Sequence, residues 1–223
     1  MDRIYQLKIG KNNLYLIKDK ENILIDTGTP GNYKKIIKKL EKIGINHIDY
    51  IFITHPHYDH VGNLGKLSER FNTKVVAHKK ARKFLVTGQS STPVPTNLFT
   101  KILISLMNRL PDRYTEFDSV DPDILLAKDT NLEEIQTEIR FLEVPGHTND
   151  SIAIIYRSKY CFTGDACFNI PGIFFPPFAE KRELIIESWK KLIKTGATTF
   201  FPGHGKPFPL EKLEKKLKKA KPA

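Results

Sequence analysis

Three histidines and an aspartate fall within six consecutive positions of the 223-residue chain, His55-Pro56-His57-Tyr58-Asp59-His60. Imidazole and carboxylate are metal ligands, and this density is far above chance for a chain of this composition. The segment follows the apolar run Ile48 to Ile53, which reads as a buried strand. It therefore begins at a strand's C-terminal end. Alternate residues of an extended chain point the same way, so His55 and His57 can reach one cation. Asp59 and His60 come after the chain turns and can reach a second. Such donors suit zinc, iron or manganese better than calcium or magnesium.

Three further segments supply matching parts: Pro145-Gly146-His147-Thr148, Thr163-Gly164-Asp165 and Pro202-Gly203-His204-Gly205. Each is expected at the end of a strand, one ligand type per junction, with glycine permitting close backbone approach. Together with His55, His57 and His60, these segments account for five of the seven histidines. His47 and His78 have no partner signal and read as structural or surface residues. Cys161 and Cys167 flank Asp165 and read as small buried apolar residues. Two cysteines cannot make a disulfide framework, which points to a reduced, cytoplasmic protein.

These residues need elements to hold them. Arg3 to Ile9, Asn13 to Lys18 and Asn22 to Asp26 read as a meander of strands. Asn32 opens a helix with Ile36, Ile37, Leu40 and Ile43 on one face, ended at Gly44. Val61 to Phe71 reads as a helix, Lys74 to Ala77 as a strand and Lys79 to Val86 as a short helix. Glu138 to Val144, Ser151 to Arg157 and Lys159 to Thr163 are strands. Ile170 to Phe178 is an aromatic, proline-rich loop. A helix over Glu183 to Lys194, a strand over Thr198 to Phe201 and a helix over Leu210 to Lys219 finish the chain.

Residues 87–121 interrupt this rhythm as a helical insert, in a chain otherwise expected to form a single domain over 1–223. Leu98, Phe99, Ile102, Leu103, Leu106, Met107 and Leu110 recur at helical spacing, with Lys101, Ser105, Asn108 and Arg109 opposite. Such a helix is a cap over a pocket, a homodimer face or core packing.

Hydrophobic residues at 40% and charged residues at 27% exclude disordered and fibrous classes. No stretch offers the roughly 20 apolar residues of a membrane span. The opening MDRIYQLKIGKNNLYLI lacks the apolar region of a signal peptide. The net charge of +11 would suit a nucleic-acid partner. The lysines, however, are spread over helix faces and crowd into the C-terminal EKLEKKLKKAKPA, which favours a solvated face.

From Leu24-Ile25-Asp26-Thr27-Gly28 to Phe201-Pro202-Gly203-His204-Gly205 the chain resembles the metallo-beta-lactamase superfamily. The resemblance implies an α/β fold of αββα type, a four-layer sandwich of two mixed sheets with outer helices. In the family pattern His55, His57 and His147 hold one metal ion. Asp59, His60 and His204 hold a second, and Asp165 bridges both. Asp26 matches a position that supports the site without being a ligand. The bridging Asp165 sets the chain apart from the β-lactamase branches, and His57 from the diiron flavoproteins, which carry Glu there. Only one helix follows His204, unlike the helical domain of glyoxalase II. The set is similar to the small single-domain hydrolases related to glyoxalase II and the lactonases.

The cofactors implied are two divalent transition-metal ions, zinc first, with iron or manganese as alternatives. Two such ions about 3.5–4 Å apart share a hydroxide and bring its pKa toward neutrality. That hydroxide is the nucleophile, and Asp59 is both ligand and proton acceptor. The substrate expected is a small carbonyl ester, thioester or lactone. A phosphodiesterase or nuclease is the alternative; a β-lactamase or a non-catalytic metal-binding module fits the pattern less well.

Overall fold

The computed structural model describes residues 3–96, 98–107, 116–128, 130 and 132–220. The chain divides into two compact units, residues 1–91 with 112–137, and residues 92–111 with 138–223.

The first unit is built on strands β1 (Arg3–Ile9), β2 (Asn12–Lys18), β3 (Asn22–Ile25), β4 (Tyr50–Ile53), β5 (Lys74–His78) and β6 (Ile124–Leu126), hydrogen-bonded in that order. The first three pair antiparallel as hairpins, and β3 to β6 are parallel. Parallel neighbours need crossovers. Helix α1 (Tyr33–Lys42), the pair α2 (Tyr58–Val61) and α3 (Leu64–Phe71), and α4 (Arg82–Thr87) stand in the three connections. Helix α1 buries Ile36 and Leu40 among Leu14, Leu16, Leu24, Ile51 and Ile53. The alternate residues Tyr15, Ile17, Ile23, Ile25 and Phe52 are buried as well. A sheet covered on both faces explains why β4 reads as an unbroken apolar run.

The second unit holds a sheet in the order β11-β10-β9-β8-β7. Its strands are β7 (Ile139–Glu143), β8 (Ile152–Tyr156), β9 (Tyr160–Asn169), β10 (Thr199–Gly205) and β11 (Phe208–Pro209). Strands β9 and β10 are parallel and the other pairs antiparallel. Helices α6 (Arg182–Ile193) and α7 (Leu210–Lys219) pack with β9 and β10 through Ile185, Trp189, Leu192, Leu213, Cys161, Cys167 and Phe200. The fold class is thus α/β, with two mixed sheets and flanking helices. Among the described residues no helix is long and apolar enough to cross a membrane.

Trp189 ties helix to strand directly, its Nε1–H donating to the Ala166 carbonyl at 2.7 Å. Trp189→Phe removes that donor and leaves a buried carbonyl oxygen without it. It should destabilise the fold by about 1–3 kcal/mol, read as a lower midpoint in denaturant titration.

The structure departs from the sequence expectations in four places. Val61 to Phe71 is two helices, because the chain breaks at Gly62-Asn63. Strands β6 and β11, three and two residues long, were not expected. Thr163-Gly164-Asp165 does not end a strand, whereas Pro202-Gly203-His204-Gly205 closes β10 as expected. Strand β9 runs on to Asn169, and its pairing with β10 takes up the irregular residues as register shifts around Pro202.

The fourth difference lies in the insert. Helix α5 (Leu98–Met107) is formed, but Leu98 is 74% and Ile102 53% exposed, whereas Thr100 and Ile104 are buried. The helix is apolar on most of its circumference, so spacing alone cannot select the stripe that turns inward. Asn108, Arg109 and Leu110 lie outside the described residues.

Candidate metal centre

In the first unit, β4 ends at Ile53 and hands the chain to Thr54-His55-Pro56-His57. His57 is extended (φ −74°, ψ 145°) and immediately precedes α2, which carries Asp59 and His60. His55, His57 and His60 are all buried. His55 Nε2 lies 3.1 Å from His57 Nδ1, and the His55 and His60 rings are 4.1 Å apart. Two ligands of a tetrahedral ion bound at about 2.0–2.1 Å stand about 3.3–3.4 Å apart, so the imidazole pair fits a shared ion.

Asp26 fixes these rings. Its carboxylate accepts from Thr54 N–H (2.8 Å), Thr54 Oγ1–H (2.8 Å) and His60 Nδ1–H (2.7 Å). Thr54 has one hydroxyl hydrogen, already given to Asp26. Its contact with His55 Nδ1 at 3.0 Å therefore has the imidazole donating. Both His55 and His60 then present Nε2 as a lone pair, the form that ligates a metal. Asn12 Nδ2–H donates to Asp59 Oδ2 at 2.7 Å, and Thr29 Oγ1–H to Asn12 Oδ1 at 3.2 Å. Asp26 was expected to support the site. The parts of Thr54 and Asn12 were not, since both act from positions that resemble ordinary strand and turn residues.

In the second unit, Asp165 is a buried carboxylate inside β9. Its Oδ2 lies 3.6 Å from His147 Nε2 and 3.4 Å from His204 Nε2, again close to the spacing of ligands around one ion. His147 Nδ1–H donates to the Phe178 carbonyl at 2.7 Å, which leaves Nε2 as the lone pair. The His204 ring stacks on Phe168 at 4.7 Å. The glycines beside these histidines are needed for space. Gly146 has φ +134°, and a Cβ there would meet the Ile185 nitrogen at 2.5 Å. Gly205 has φ +96°, and a Cβ there would collide with the Asn169 carbonyl.

The remaining candidates stand apart from these clusters. His47 is exposed and pairs with Asp49 at 3.1 Å. His78 is buried and accepts from Lys80 N–H at 3.3 Å. Cys161 and Cys167 are buried free thiols whose pKa values burial pushes up, so neither is primed as a nucleophile.

Comparison with known proteins agrees with this chemistry. Residues 8–204 match the model of the metallo-beta-lactamase superfamily. A protein named as a probable metallo-hydrolase in Methanocaldococcus jannaschii is 35% identical over 157 residues, 70% of this chain and 68% of that protein. A hydroxyacylglutathione hydrolase of Haemophilus influenzae is 30% identical over 161 residues, 71% of this chain and 68% of that protein. Among solved structures, a subclass B3 metallo-beta-lactamase of Bradyrhizobium japonicum superposes with a TM-score of 0.72 at 18% identity, covering 98% of this chain and 89% of that one.

Proposed function

The chain belongs to the metallo-beta-lactamase superfamily, a family of metal-dependent hydrolases, and from that premise we propose that it is a binuclear hydrolase of a small carbonyl ester, thioester or lactone. The observation that supports this most strongly is the preparation of the histidines. His55, His60 and His147 each commit Nδ1–H to an oxygen of the protein and keep Nε2 for a ligand bond. Metal-ligating histidines are held in this way, the second ring N–H donated to a carboxylate, carbonyl or other oxygen.

His55, His57 and His147 would hold one ion and Asp59, His60 and His204 the other, with Asp165 shared. This is the assignment that the family resemblance implies. When bound, the ions supply Lewis acidity and lower the pKa of water.

The protein's own residues do the rest. Asp59 takes the proton of the attacking water as its oxygen bonds to the carbonyl carbon. Asn12 holds Asp59 Oδ2, fixing the rotation of the carboxylate while it receives that proton. Collapse of the tetrahedral carbon breaks the bond to the leaving alkoxide or thiolate, and the proton passes to that group. Asp26 and Thr54 keep the imidazoles in one tautomer throughout. The reading of the bond as an acyl bond is supported by the likeness to the hydroxyacylglutathione hydrolase.

Elemental analysis after reconstitution should find two transition-metal ions per chain. The metal-free protein should melt several degrees lower, because ligands that bind only the folded state stabilise it by mass action. In a panel of thioesters, lactones, esters and phosphodiesters, turnover should fall on the acyl substrates. No bound metal at neutral pH would sink the reading. Turnover confined to phosphodiesters would replace the substrate class with the one that the net charge of +11 suits.

A further inference from the structure

We infer that the first leg of the insert, Val94 to Thr96, is a positioning strap for His147; this rests on the reading of His147 as a metal ligand. The strap acts through the end of the aromatic loop, residues 177–181, which is held from two sides. On one side stands the insert. Thr96 Oγ1–H donates to the Pro177 carbonyl at 2.6 Å, Ala179 N–H donates to the Val94 carbonyl at 2.9 Å, and Pro95 and Phe178 pair antiparallel. On the other side stands the turn that carries the ligand. Glu180 N–H donates to the His147 carbonyl at 3.2 Å and Lys181 N–H to the Gly146 carbonyl at 3.0 Å. His147 Nδ1–H reaches across to the Phe178 carbonyl at 2.7 Å.

The Phe178 carbonyl therefore lies between two points gripped by the insert, the Pro177 carbonyl before it and the Ala179 N–H of its own peptide group after it. Pro176 and Pro177 have no N–H, so backbone donors cannot anchor the loop at those positions. The Thr96 hydroxyl, bonding to an acceptor instead, supplies an anchor there. A neutral imidazole carries one N–H. While the Phe178 carbonyl is in place, that hydrogen stays on Nδ1 and the Nε2 lone pair faces Asp165 at 3.6 Å. Once the carbonyl can rotate away, the hydrogen distributes between the two nitrogens, and the fraction carrying it on Nε2 cannot ligate. Thr96 touches no ligand itself; it is a positioning residue acting through Phe178.

The test uses Thr96→Val and Thr96→Ser in the full chain, with two readouts. Imidazole ¹⁵N NMR of the metal-free protein at alkaline pH reports the His147 tautomer. Chelator competition reports the affinity of each zinc ion. The parent should show His147 as the Nδ1–H form. Thr96→Val should show a population of the Nε2–H form and bind one of the two ions about 3–10-fold more weakly. That is below the roughly 10–100-fold typical when a ligand's direct hydrogen-bond partner is lost, because Thr96 is one link further away. Thr96→Ser should restore both.

An unchanged tautomer in Thr96→Val would overturn the strap, as would a loss that Thr96→Ser does not rescue. If the parent binds no metal, the hydrolase reading fails while the tautomer measurement still decides the strap.

Discussion

Asp165→Ala is expected to lower kcat/KM by about 1,000-fold, an order of magnitude or more beyond the loss usual for residues that only support a ligand. The Asp165 carboxylate lies close to both His147 and His204, whose Nε2 atoms are 3.6 and 3.4 Å from its Oδ2. With it gone, two imidazoles face the site with no anion between them, and the metal content should fall below two ions per chain. The fold should hardly notice. The residue sits within β9, whose pairing with β10 and whose Ala166 carbonyl, bonded by the Trp189 indole, involve backbone atoms that alanine keeps. The metal-free melting temperature should therefore stay within a few degrees of the parent. Full metal occupancy in Asp165→Ala, with activity within tenfold, would refute the ligand assignment.

Asp26→Asn should damage stability and metal binding together. The carboxylate is buried and accepts three hydrogen bonds, from the Thr54 backbone, the Thr54 hydroxyl and His60. An amide keeps one acceptor oxygen and presents a donor group where the second oxygen stood, so at least one buried donor loses its partner. About 3–5 kcal/mol of folding free energy should be lost, measured by denaturant titration of the metal-free protein. Metal affinity should fall about 10–100-fold, since the amide disturbs the bond from His60 and the Thr54 hydroxyl that holds His55. Asp26→Ala is a poorer probe. Residue 26 has φ +62°, a left-handed conformation that asparagine tolerates and alanine does not. Wild-type stability in Asp26→Asn would show that the network is not coupled to the fold.

Much of this architecture is legible in the residues. The strands β1 to β5 and the helices α1, α6 and α7 follow from apolar periodicity, and their ends from Asn32, Gly44 and the flanking turn residues. The ligand candidates stand out because imidazoles are uncommon and these are bunched. What stays hidden has a common cause: it depends on the backbone or on register. The Phe178 carbonyl that holds His147 has no side-chain signature at all. The continuation of β9 past Gly164-Asp165 depends on a register shift against β10 that no local pattern encodes, since a glycine before an aspartate reads as a turn. Strand β6 offers three residues, too few to show alternation. Helix α5 has too many apolar residues rather than too few, so its exposed stripe at Leu98 and Ile102 could not be read from spacing.

The root of the insert carries a consequence for how such chains diversify. Gln89 and Glu116 pair antiparallel, and Phe117 N–H bonds the Gly88 carbonyl, so the excursion leaves the first unit and returns to it at the same place. A loop pinned at its base can change length cheaply; doubling it adds only about 0.6 kcal/mol of closure entropy. The segment is thus placed to change length without disturbing the paired residues at its base. The seams of a successful graft would lie after Thr96 and before Glu116. That choice keeps the clasp at the base and the grip on residues 177–179, and leaves everything beyond them open to selection.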